Sequence, residues 1–151
     1  SIHYAILCLI ETKKFKQDLQ WMSAKLRKNK SQVEKAIERL LKLKMLKLEK
    51  GILVNTGLSY HSEDNDAHST ANKRSHIQSL EEASWSLHAD DLDSRDFTSL
   101  TISLDLKDLP KLKAAIRNFR EDVDEQCKSE NATEVYKLAI QLYPLTNKDI
   151  D

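Results

Sequence analysis

The chain has 151 residues, with 24 Lys plus Arg and 24 Asp plus Glu, for a formal net charge of zero. That length makes one ordinary domain or two small ones, and the zero balance excludes a histone-like polycation and an acidic disordered tail. The two glycines, Gly51 and Gly57, cannot build a phosphate-cradling loop of the Walker or dinucleotide kind.

The zero hides an asymmetry. Residues 1–57 carry 13 basic and 5 acidic side chains, a net of +8, whereas residues 58–151 carry 11 and 19, a net of −8. With so few glycines and prolines the chain is expected to be mostly helical. An apolar fraction of 40% against 32% charged residues suits a globular protein.

A first helix is predicted over residues 2–11, with Ala5, Ile6, Leu9 and Ile10 at helical spacing. A second opens on Asp18 as N-cap and runs to about residue 27, with Leu19, Met22 and Leu26 inward. The polar turn Lys28-Asn29-Lys30 follows. Ser31-Gln32-Val33-Glu34 fits a capping box opening a third helix that lasts to residue 43 or 44. Residues 46–49 and 52–54 read as short strands of a hairpin around Lys50-Gly51.

Three helices and a hairpin in that order describe a winged helix-turn-helix. On the third helix Val33, Ala36, Ile37, Leu40 and Leu41 form one face, and Gln32, Lys35, Arg39 and Lys42 gather opposite. Gln, Lys and Arg together reach phosphates and base edges in a major groove. Lys25, Arg27, Lys28 and Lys30 crowd the preceding turn and Lys47 and Lys50 the wing, where phosphate contacts are expected. Glu34 and Glu38 interrupt this surface and are placed to pair with Lys35, Arg39 or Lys42.

The second half reads as a linker over residues 58–67 and then a long helix over about 68–88, with Ile77, Leu80, Ser84 and Leu87 along one side and Trp85 nearby. After an acidic loop, Thr98, Leu100, Ile102 and Leu104 alternate as a half-buried strand. Pro110 marks the start of a helix whose apolar face is Leu109, Leu112, Ile116, Phe119, Val123 and Cys127. Residues 135–143 alternate again, with Tyr136, Leu138, Ile140 and Leu142 on one face. The fold class is therefore α+β: a winged helix-turn-helix (1–57), a linker (58–67), then the long helix and a β-α-β unit (68–151). Two strands are marginal alone, so a homodimer is expected to complete the sheet and to space two recognition helices.

No catalytic or metal-binding pattern stands out. His61, Glu63, Asp64, Asp66 and His68 lack metal-ligand spacing. Ser84, Ser86 and His88 lack the glycines of a nucleophile elbow, and Asp90, Asp91, Asp93 and Asp96 lack the glycine and terminal glutamate of an EF-hand. No cofactor and no enzymatic activity are expected. Cys8 and Cys127 read as small core residues of a reducing, cytoplasmic compartment. The opening apolar run is too short for a membrane span, and without an initiator Met the chain is expected to continue a longer protein upstream.

Several stretches carry a family likeness: His3-Tyr4-Ala5-Ile6, Phe15 to Met22, Val33 to Leu46, Arg95 to Thr101, and above all Glu134-Val135-Tyr136-Lys137-Leu138 with Gln141-Leu142-Tyr143-Pro144-Leu145-Thr146. The chain resembles the C-terminal region of a bacterial domain-of-unknown-function family whose members look like transcriptional regulators. The resemblance implies duplex DNA as partner and brings no effector and no catalytic residue. It departs at Arg27-Lys28-Asn29-Lys30, where many members carry a Leu-Gly turn. Two other readings stand beside DNA binding: a protein-interaction or dimerisation module of a regulator whose DNA-binding region lies upstream, and a small-molecule sensor.

Overall fold

Helix boundaries in the first half follow from capping chemistry. The Asp18 side chain accepts a 2.6 Å bond from the Trp21 backbone N–H and opens α2 (Leu19–Lys25). In α3 (Lys30–Lys42) the cap is Asn29, not Ser31: its Oδ1 accepts from the Gln32 N–H at 2.8 Å while Gln32 Oε1 accepts from the Asn29 N–H at 3.1 Å. Both Asn29 and Ser31 suit an N-cap, and both are followed three residues later by Gln or Glu. The earlier pair adds two residues to α3.

The computed structural model describes residues 2–58, 70–147 and 149–150. Among them, α1 (Ile2–Ile10), α2 and α3 precede an antiparallel hairpin, β1 (Leu46–Glu49) and β2 (Ile52–Asn55), followed by α4 (Thr70–Ala89) and α5 (Leu109–Cys127). The fold is thus a mixture of helices with one small sheet. Leu46 pairs with Asn55 and Glu49 with Ile52, leaving Lys50 and Gly51 as a two-residue turn. Both turn residues have positive φ, 49° and 80°, as a type I′ turn requires. Gln17 ties the α1–α2 loop to this hairpin, donating to the Gly51 carbonyl at 2.8 Å and accepting from the Leu53 N–H at 2.6 Å.

The chain divides into two compact units, Ser1–Thr98 with Ser129–Val135, and Ser99–Lys128 with Tyr136–Asp151. In the first, α1 and α2 pack on α3, and the hairpin closes on α1 and α3. Ile6, Leu9, Met22, Val33, Leu40 and Leu46 are the largest fully buried side chains, joined by Leu7, Ala36, Met45 and Leu53. Each such Leu or Ile contributes about 1.5–3 kcal/mol by leaving water. Among the described residues Thr12 is the buried polar side chain, and its hydroxyl donates to the Leu9 carbonyl at 2.7 Å.

In the second unit α5 begins with Pro110 in its first turn, as its sequence indicates. No α5 residue is buried, and Phe119 is 52% exposed. The alternating segments 98–104 and 135–143 are not strands, so the expected β-α-β unit is absent from the described residues. Alternation specifies which side chains share a face, but a strand also needs a neighbour for its backbone. Two further expectations are corrected. Cys8 and Cys127 are both exposed. Residues 6–10 are apolar all round, so the run itself does not mark which side faces out, and packing buries Ile6, Leu7 and Leu9 instead.

Candidate nucleic-acid interface

The candidate surface is built on α3. Val33, Ala36 and Leu40 fix its inner side in the core, with Ile37 and Leu41 half-buried. A helix so anchored turns Gln32, Lys35, Arg39 and Lys42 outward, and all four are exposed. Lys35, Arg39 and Lys42 form no ion pair within the described residues, and Glu34 and Glu38 do not pair with them. Gln32 differs from the other three. Its carbonyl oxygen is committed to the Asn29 cap, which holds the side chain at the N-terminus of α3. Burial, and then the Arg39 charge, hold the His3 imidazole below its ordinary range.

The turn cations have a different environment. Lys25 Nζ lies 2.7 Å from Glu134 Oε2. Arg27 meets Asp90 through two nitrogen–oxygen contacts, 2.9 and 3.2 Å, and its guanidinium carbon sits 4.5 Å from the centroid of the Trp85 ring. Lys28 Nζ is 2.8 Å from Glu82 Oε1. Lys30 donates to the uncharged Gln20 Oε1 at 3.0 Å. In the hairpin Lys47 pairs with Glu49, while Lys50 occupies the turn with no ion pair among the described residues.

Asp90 gathers several donors. Besides Arg27 it accepts from the Ser86 hydroxyl at 2.7 Å. The Arg27 hydrogen bond, then the Ser86 bond, hold its carboxyl below the usual aspartate range despite partial desolvation. Arg27 itself has φ 54°, the left-handed region that glycine enters most readily. The stretch in which the family resemblance expects a glycine-bearing turn therefore contains a left-handed residue, occupied here by an arginine whose head group is fixed by Asp90 and Trp85.

Three acids, Glu82, Asp90 and Glu134, were not among the sequence-derived site residues. They lie 54, 63 and 109 positions from their basic partners. No local pattern links residues at such separations; the opposite charges of the two halves were the available signal. Lys44 was also missed: it is exposed and left-handed, φ 58°, just beyond α3.

His61, Glu63, Asp64, Asp66 and His68 lie outside the described residues. Among those described, no cluster of His, Cys, Asp and Glu is arranged to hold a metal, and no helix is long and apolar enough to cross a membrane.

No curated protein and no solved structure matches this chain. A family model does, over residues 1–145. The chain therefore belongs to the DUF4423 family, a domain of unknown function.

Proposed function

We propose that residues 1–57 form a winged helix-turn-helix that binds duplex DNA, with α3 in the major groove and the hairpin as its wing, in a bacterial transcriptional regulator. The observation that carries this reading is the state of the α3 surface: Lys35, Arg39 and Lys42 are exposed and, among the described residues, without an ion pair, on a helix whose other side is locked into the core. A rigid helix with uncompensated cations suits groove insertion and phosphate contact. Lys30 and Lys50 flank it as phosphate contacts, and Gln32, fixed at the α3 N-terminus, is positioned to donate its amide N–H to a base edge. Fluorescence anisotropy with a labelled duplex tests the reading. Binding that weakens steeply with salt supports it, and the absence of binding at low salt refutes it.

The regulator is proposed to act as a dimer. Leu100, Tyr136 and Leu138 are 83%, 74% and 52% exposed on segments with the alternation of half-buried strands, and a second copy would supply the missing strand neighbours. Sedimentation equilibrium giving a monomer at tens of micromolar would remove this part of the proposal.

A protein-docking role for the same winged helix is favoured by one observation. Leu48 and Ile52 on the hairpin are 58% and 60% exposed, which is unusual for a surface meant to lie along phosphates. Its test is Leu48→Ser with Ile52→Ser, which leaves DNA affinity intact if the hairpin docks protein.

A further inference from the structure

We propose that Glu82, Asp90 and Glu134 act as an internal phosphate mimic, holding Lys25 at the end of α2 and Arg27 and Lys28 of the α2–α3 turn in the free protein and yielding them to the sugar–phosphate backbone when duplex DNA docks. The inference rests on the DNA-binding reading above and adds regulation to it.

Three carboxylates from α4, from the residue just after α4 and from the 129–135 segment converge on a stretch of four residues. The Arg27–Asp90 contact is two-pronged, the arrangement a guanidinium also adopts on a phosphate. Selectivity is the second argument. The acids engage the turn, while the α3 cations beside Glu34 and Glu38 form no ion pair among the described residues. The third is exchangeability. Arg27 and Glu134 keep 59% and 57% of their side-chain surface in water, so salt and a dense phosphate array compete effectively for these pairs. The clasp leaves the α3 face available for first encounter and makes full engagement of the turn conditional on displacing α4.

The test uses the whole chain. Glu82→Gln with Asp90→Asn is expected to bind a labelled duplex about tenfold more tightly than wild type at low salt, because the turn cations no longer have an internal competitor. Glu134→Gln, which leaves α4 untouched, should tighten binding in the same direction. A control pair in α5, Glu121→Gln with Asp122→Asn, removes the same charge elsewhere and should change affinity less than twofold. In a Trp21→Phe background, duplex addition should shift Trp85 emission as the guanidinium leaves the ring. Circular dichroism verifies that each variant is folded. Binding that Lys35→Ala with Arg39→Ala weakens but that neutralising the acids leaves unchanged overturns the clasp alone. Failure of the wild type and all acid variants to bind overturns the DNA-binding reading and the clasp with it.

Discussion

In the proposed DNA complex with the clasp closed, the number of unpaired cations sets the salt dependence, and each turn cation that the clasp releases to a phosphate would steepen the slope by about a further 0.9. Lys30, Lys35, Arg39, Lys42 and Lys50 have no carboxylate partner among the described residues, whereas Lys25, Arg27, Lys28 and Lys47 do. If each of these five sequence-derived site cations neutralises one phosphate, the slope of log K against log salt is about −4.5, since each contact contributes about −0.9. Affinity then falls roughly 500-fold between 50 and 200 mM salt. Lys35→Ala with Arg39→Ala removes two contacts without touching the core, because both side chains are exposed. The slope should flatten to about −2.7 and the loss over the same range to about 40-fold. Anisotropy titrations at four salt concentrations measure both slopes, with thermal melts confirming that stability is unchanged. Equal slopes for the two proteins would refute the placement of α3 at the DNA, whatever the absolute affinity.

Other outcomes follow from the same geometry. Leu40 is fully buried between the helices, and Leu40→Ala should cost about 2–5 kcal/mol in urea unfolding. Gly51→Ala places a Cβ on a residue with φ 80° and should destabilise the hairpin by about 1 kcal/mol although nothing lies within 4 Å of the added carbon. Asp90 has a carboxyl held below its ordinary value of 3.8, first by the Arg27 hydrogen bond. Its stabilising contribution is therefore complete above that value and lost as pH falls through the lower, folded one. An NMR titration should place the Asp90 midpoint below 3.8 and return it toward that value in Arg27→Ala; an unshifted midpoint in the wild type would contradict the contact. Asp18→Ala removes the α2 cap and should lower stability by about 1 kcal/mol, read by denaturant melts.

Much of the first unit was legible because its signals are local. Asp18 begins α2, the 3.6-residue period puts Val33, Ala36 and Leu40 inward, and Lys50-Gly51 supplies the positive φ angles of the hairpin turn. The α3 start lies two residues before the one Ser31 predicts because Asn29 and Ser31 carry the same capping signal, and the choice between them depends on how the turn leaves α2. The exposure of Cys8 is not legible locally, since a uniformly apolar run has no polar side to mark its orientation.

The amino-acid order by itself determined the α1–α3 and hairpin pattern, the two helices beyond it and the division of charge into a basic and an acidic half. All of these depend on residues within a few turns of one another or on composition. Only the tertiary structure decided which cations of the basic half meet an acid among the described residues. Lys25, Arg27 and Lys28 meet acids more than fifty residues away, and among the described residues Lys35, Arg39 and Lys42 do not. Ion pairing is a through-space interaction that falls off within a few ångströms in water, so it depends on where the fold places distant side chains rather than on any spacing along the chain. For the same reason the alternation of residues 98–104 and 135–143 was readable, while the lack of a strand partner for them was not.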